Sequence, residues 1–173
     1  ASALFEDREG NIWVGTPSGL DQFRDFAVAE FSVNQGLSSP RIQSLLADRD
    51  GGIWVATRNS VSRLYNGKVT NLNISYQPHD KTNAFIPNSL FQDHAGRVWV
   101  STPFEFGYLD NDRFVSISTV PGAITAIAQD TAKTLWVANE HVGLFEVLGE
   151  STNGEPYIVV AVSAPENLQP SAR

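Results

Sequence analysis

The sequence predicts an all-β fold of four repeated units, each of four antiparallel strands, on three observations. Tryptophan stands at Trp13, Trp54, Trp99 and Trp136, at intervals of 41, 45 and 37 residues. An aspartate lies six residues before each one, at Asp7, Asp48, Asp93 and Asp130. Every interval holds four short runs of β-forming residues divided by turn formers. A period near forty with four strands per unit is the signature of a β-propeller blade, and an immunoglobulin-like sandwich carries no such repeat.

The first strand of each unit reads Leu4-Phe5-Glu6-Asp7, Leu45-Leu46-Ala47-Asp48, Leu90-Phe91-Gln92-Asp93 and Ile127-Ala128-Gln129-Asp130. A polar hairpin follows, with glycine at Gly10, Gly51 and Gly96 where a left-handed residue closes the turn. The fourth hairpin, Thr131-Ala132-Lys133-Thr134, lacks that glycine. The second strands, Ile12 to Thr16, Ile53 to Thr57, Val98 to Thr102 and Leu135 to Asn139, are continuous β-formers, as expected of strands covered on both faces. Third strands are marked by Leu20/Phe23, Val61/Leu64, Phe106/Leu109 and Leu144/Val147, and fourth strands by Phe26/Val28, Val69/Leu72, Phe114/Ile117 and Tyr157/Val159. Asn66-Gly67, a strong hairpin signal, joins the last two in the second unit, and Asn111-Asp112 takes its place in the third. The expected blades are approximately 1–34, 35–75, 76–120 and 121–162, followed by a polar tail or linker at 163–173.

Composition narrows the function. Hydrophobic residues at 42% and charged residues at 18% give the balance of a globular core. Twelve Lys and Arg against nineteen Asp and Glu leave a net charge of −7, so a phosphate backbone meets net repulsion and nucleic acid is disfavoured as a partner. The absence of cysteine removes disulfides, thiolate zinc sites and a thiol nucleophile. The longest apolar run, Ile158 to Val162, is far short of the ~20 residues of a membrane span, so any membrane attachment would come through other segments. The N-terminus carries neither methionine nor a leader pattern, and the expectation is of a piece cut from something longer.

The wording of the repeats is itself informative. Leu4-Phe5-Glu6-Asp7-Arg8-Glu9-Gly10-Asn11-Ile12-Trp13-Val14-Gly15-Thr16 with Gly19-Leu20, its counterpart from Leu90 to Thr102, and the linker Gln35-Gly36-Leu37-Ser38-Ser39 closely resemble the two-component regulator propeller repeat over about residues 3–148. That resemblance implies the periplasmic sensor region of a bacterial signalling protein, often a sensor or hybrid histidine kinase. Members of the family usually close seven blades per ring, and four are present here. Neither the three-tyrosine domain that commonly follows such propellers nor a kinase core occurs in the sequence.

Alternating connections put the loops between second and third strands on the same face as the blade crossovers, opposite the Asp-to-Trp hairpins. Those loops differ from blade to blade while the framework repeats, which leaves this face free to specialise. Arg41, Arg58, His79, Glu105 and His141 are its candidate polar contacts to a small-molecule or glycan ligand, or to a neighbouring subunit. The aspartates and tryptophans are expected to be structural anchors, through turn capping by the carboxylates and inter-sheet packing of the indoles. Asp48-Arg49-Asp50-Gly51 resembles the opening of a calcium loop, but no glutamate stands at its twelfth position. The three histidines fall in separate loops without ligand spacing, and no nucleophile or phosphate-loop motif occurs, so neither metal, cofactor nor catalysis is expected.

The resulting expectation is a non-catalytic, ligand-binding sensor module. The alternative is a scaffold for protein contact or dimerisation, with a propeller lyase or hydrolase behind both on fold analogy alone. Four blades also leave two apolar ends. Either two copies complete a ring, or neighbouring blades of a longer chain cover the ends, or four blades close tightly, the last being the least expected.

Overall fold

The computed structural model describes residues 3–23, 28–76, 85–139, 141–148 and 158–162. Four antiparallel sheets follow one another along the chain as a four-blade β-propeller. The first holds β1 (Ala3–Glu6), β2 (Ile12–Thr16), β3 (Gly19–Phe23) and β4 (Val28–Phe31). The second holds β5 (Ile42–Ala47), β6 (Ile53–Thr57), β7 (Val61–Tyr65) and β8 (Lys68–Asn71). The third holds β9 (Ser89–Gln92), β10 (Val98–Ser101), β11 (Glu105–Asp110) and β12 (Arg113–Pro121). The fourth holds β13 (Ile124–Gln129), β14 (Leu135–Asn139), β15 (Gly143–Leu148) and β16 (Ile158–Val162). The apolar run at the C-terminal end is thus an outer strand.

Strand order within each sheet is sequential, and short connections of two to five residues, nine only between β15 and β16, join the antiparallel neighbours. Successive sheets meet through their first strands, β1 on β5, β5 on β9 and β9 on β13, which places those strands innermost. Pairing of Trp13 with Gln22, and of Gly15 with Leu20, sets these side chains on one face of the first sheet. That face packs with Ile53, Val55 and Leu64 of the second sheet. Val61 and Ala56 likewise pack with Val98 and Val100, and Trp99 and Phe106 with Leu135, Val137 and Val147. Trp99 and Phe106 stack at 5.3 Å with planes 10° apart. Each buried Leu, Val or Phe in these seams contributes ~1.5–3 kcal/mol by its removal from water.

All three connections between sheets depart from plain loops. Between the first and second sheets a 3-10 turn, Val33–Gln35, is held by a capping box in which the Ser32 N–H donates to Gln35 Oε1 at 2.9 Å. Between the second and third, Ser75 makes a parallel bridge to Arg113 at the outer edge of the third sheet. Tyr76, Phe85 and Phe114 then meet with ring centroids 5.3 to 5.7 Å apart. Between the third and fourth, Gly122 runs so close to the preceding hairpin that a Cβ there would fall 2.2 Å from the Phe104 carbonyl carbon.

Candidate ligand-binding face

The two ends of the sheets are built by different devices. At the Asp-to-Trp hairpins each aspartate accepts the indole N–H of its own tryptophan: Trp13 to Asp7 at 2.7 Å, Trp54 to Asp48 at 3.1 Å, Trp99 to Asp93 at 2.8 Å and Trp136 to Asp130 at 3.0 Å. The other carboxylate oxygen accepts turn N–H groups, as from Glu9 and Asn11 at Asp7 and from Ala95 and Arg97 at Asp93. The residue three after the aspartate takes positive φ in all four units: +81° at Gly10, +82° at Gly51, +87° at Gly96 and +70° at Lys133. The fourth hairpin therefore keeps the same turn without its glycine.

These bonds set the electrostatics of that end. Burial works against ionisation of Asp7, but hydrogen bonds from Trp13, Asn11 and Glu9 outweigh it and hold the carboxyl below its ordinary value. At Asp48, burial is likewise overcome by Gln92, the Asp50 N–H and Arg63. The Trp136 indole, followed by the Thr134 N–H, lowers Asp130. Asp48 is fully engaged, with Arg63 Nη2 at 2.5 Å from Oδ2 and Gln92 Nε2 at 3.1 Å from Oδ1.

A belt of inter-sheet hydrogen bonds, invisible in the repeat pattern, joins successive hairpins on this face. Arg8 Nη1 donates to the Arg49 carbonyl at 2.8 Å, Arg49 Nη1 to the His94 carbonyl, and the His94 N–H to Gln129 Oε1 at 2.7 Å. The sequence signal is an Arg or His directly after the aspartate in three of the four units, with Thr131 in the last.

The opposite end carries the variable loops. There the residue three after each tryptophan closes the turn through its side chain. Thr16, Thr57 and Thr102 donate to the carbonyls of Gly19, Ser60 and Glu105, and Asn139 Oδ1 accepts the N–H groups of His141 and Val142. The crossovers lie on this same face. Ser38 hydrogen-bonds Thr57 at 2.9 Å, Asn139 Nδ2 donates to the Gly122 carbonyl at 2.6 Å, and the Ala123 N–H donates to the Thr102 carbonyl at 2.7 Å.

On that frame Arg41 and Arg58 are both exposed and belong to the same end of the second sheet, where Ser38 ties the crossover to the β6–β7 turn. His141 is exposed in the β14–β15 turn, two sheets away. Glu105 departs from the expectation of an exposed contact. It is the first residue of β11 and is buried at the root of its hairpin, facing the Tyr76 phenol. Burial first, and then the Glu105 carboxylate, push Tyr76 up to about 12. His79 lies outside the described residues.

A separate concavity of about 600 Å³ opens on the outer rim between the second and third sheets, lined by Trp54, Arg63, Tyr65, Lys68, Asn71 and Asn111 among others. The Arg63 guanidinium lies over the Trp54 and Tyr65 rings at 5.6 and 5.2 Å. With Asp48 and Asp50 beside it, its charge is balanced.

Residues 1–18 and 36–59 match the two component regulator propeller family. No curated protein matches the sequence. Among solved structures, the extracellular domain of a protein named as the hybrid two component system BT3049 from B. thetaiotaomicron is similar, at 16% identity with a TM-score of 0.64. The match covers 94% of this chain and 26% of that one. PorZ of Porphyromonas gingivalis matches at 17% identity and a TM-score of 0.69, over 95% of this chain and 23% of its own. Virginiamycin B lyase from Staphylococcus aureus matches at 15% identity and 0.69, over 95% of this chain and 56% of its own. At such identities the likeness is one of fold, and this chain spans about a quarter of the BT3049 domain.

Proposed function

We propose that the chain, whose residues 1–18 and 36–59 match the two component regulator propeller family, is a non-catalytic sensor module of an extracellular or periplasmic signalling protein. Its ligand is a small molecule or glycan fragment taken up at the face of the variable turns. The observation that carries this reading is the contrast within one chain. The Thr or Asn that closes each turn is constant in role, while the side chains displayed above it change from Pro17 and Ser18 to Arg58 and Asn59, to Pro103 and Phe104, and to His141 and Val142. A fold requirement explains the first set, and recognition is the use to which the second is put. Arg41 and Arg58, sharing one sheet end, are the favoured pair for a ligand carrying a carboxylate, sulfate or hydroxyl cluster. The lyases among the similar structures share the fold, and no catalytic arrangement is carried over from them.

The test is thermal-shift and calorimetric screening of the chain against acidic and neutral oligosaccharides. Saturable binding that raises the melting temperature is expected. Arg41→Ala or Arg58→Ala should weaken it about tenfold or more, the worth of one charge-assisted hydrogen bond, with unliganded melting unchanged. Loss on Tyr65→Ala, with both arginine variants binding normally, would move the site to the rim concavity. No saturable binding by any member of the panel would count against the ligand-binding reading.

A further inference from the structure

In the second and third sheets the chain sets one of its own arginines over the repeat tryptophan. Arg63, directly opposite Trp54 in the strand pairing, lies over that ring at 5.6 Å and reaches Asp48 Oδ2 at 2.5 Å. Arg97, two residues before Trp99, lies over that ring at 5.9 Å and over Tyr108 at 4.7 Å. The first sheet has an arginine at neither place. Gln22 stands opposite Trp13 as Arg63 stands opposite Trp54, and Asn11 precedes Trp13 as Arg97 precedes Trp99. The same corner of the repeat holds a cavity of about 350 Å³ between the first and second sheets, lined by Asp7, Glu9, Trp13, Gln22, Phe31 and Asp50 among others.

We infer that this cavity is a binding site for a guanidinium group from outside the chain, which supplies the cation that Arg63 and Arg97 supply internally. Gln22 is 2% exposed, yet its Oε1 is buried without a hydrogen-bond partner, an acceptor left open to an incoming N–H. Asp7 accepts only neutral donors, namely the Trp13 indole, the Asn11 amide and the turn N–H groups of Glu9 and Asn11. Its counterpart Asp48 has Arg63 against it, whereas neither Asp7 nor Glu9 has an ion pair among the described residues. No Lys, Arg or His is among the described residues that line the cavity. Asp50, on the second-sheet wall, lies 3.4 Å from Arg63 and is partly committed to it.

The shape of the site selects the kind of cation. No three acidic or histidine side chains among the described residues gather closely enough to hold a metal ion, so the negative charge is spread over a span that suits a polyatomic group. Phe31 and the edge of Trp13, with ring centroids 5.7 Å apart, form an apolar wall beside the carboxylates. A guanidinium is planar, weakly hydrated and forked, so it can lie against such a wall while donating to carboxylate and amide oxygens, which an ammonium does less well. The bond from Trp13 does not close Asp7 to a further donor, because Asp48 Oδ2 accepts the Trp54 indole and Arg63 together. The cavity belongs to the Asp-to-Trp end, opposite the variable turns, and stands apart from the ligand face proposed above.

Nuclear magnetic resonance titration of the isotope-labelled chain tests this with agmatine, with a blocked glycine-arginine-glycine peptide, and with the same peptide carrying citrulline, a neutral near-isostere of arginine. The Trp13 indole N–H signal, assigned by its loss in Trp13→Phe, should shift saturably with agmatine or the arginine peptide and not with the citrulline peptide. Saturation by agmatine alone assigns the site to free guanidino compounds, and tighter binding of the peptide assigns it to an arginine side chain of another protein. Gln22→Arg supplies the guanidinium from within the chain and should abolish binding while raising the melting temperature. Glu9→Gln, at an exposed turn position, should leave the fold intact and weaken binding roughly threefold, the worth of one solvent-exposed charge pair. That variant decides the matter if Gln22→Arg misfolds. The proposal is overturned by the absence of a saturable Trp13 shift, by equal binding of the citrulline peptide, or by unchanged affinity in a folded Gln22→Arg chain or in Glu9→Gln.

Discussion

Trp13 Nε1 donates to Asp7 Oδ2 across 2.7 Å, so the six-residue spacing found in the sequence is a hydrogen bond within each hairpin. The indole has two tasks. Its ring fills the seam to the next sheet while its N–H helps hold the turn closed. Trp13→Phe keeps most of the packing and removes the donor, and should cost about 1–2 kcal/mol in urea unfolding. Asp93→Ala should cost more, about 2–4 kcal/mol, since it strips the acceptor from the Trp99 indole and from the Ala95 and Arg97 N–H groups together. Equal losses in the two variants would refute this division of roles.

Acid should loosen the same end of the molecule. The carboxyls of Asp7, Asp48 and Asp130 titrate below their ordinary value in the folded chain, whereas unfolded aspartate titrates near ~3.9. The stability they supply is therefore fully present above that unfolded value and is lost as pH falls through the lower folded ones. Melting temperature should be flat near neutrality and fall below pH ~4, and Trp13→Phe should make the fall shallower. An unchanged slope in that variant would show that the indole does not stabilise the carboxylate.

Alkaline pH acts at the other end through Tyr76. Its phenol is pushed up to about 12 by burial and the Glu105 carboxylate, against ~10 when unfolded. The sign is opposite to that of the aspartates: the contribution is whole below about 10 and is lost as pH rises towards 12. Ultraviolet difference titration should show one tyrosine ionising late, and Tyr76→Phe should remove that step.

Lys133 marks a place where the molecule can be improved. It adopts φ +70° at the position that glycine fills in the other three hairpins. Lys133→Gly should raise stability by ~0.5–1 kcal/mol, the relief of a side chain in the left-handed region less the added freedom of the unfolded chain. A loss of stability would mean that Lys133 makes contacts worth more than its backbone strain.

The repeat was legible because its causes are local. Aspartate, turn glycine, tryptophan and threonine lie within ten residues of each other, so hairpin geometry alone fixes their spacing, and alternation fixes the four strands. The glycine missing from the fourth hairpin could be read as a departure, but only the structure shows Lys133 taking the same φ. Glu105 looked like a loop charge because it stands where the second and third strands of its unit are joined. In the structure it is buried, facing Tyr76, which stands twenty-nine positions earlier in the connection between the second and third sheets.

By itself, then, the sequence determined the sheets, their order and the faces on which the turns lie, since each depends on contacts between near neighbours. Tertiary structure alone decided what lies between sheets: the belt from Arg8 through Arg49 to His94, the Arg63 clamp over Trp54 and Tyr65, and the exposure of Leu4 and Leu144 at the two ends. The physical reason is that residues forty apart carry the same pattern whether or not a neighbour covers them. Leu20 and Leu144 are the same letter at the same repeat position, and among the described residues Leu20 has a following sheet packed over it while Leu144 is 39% exposed.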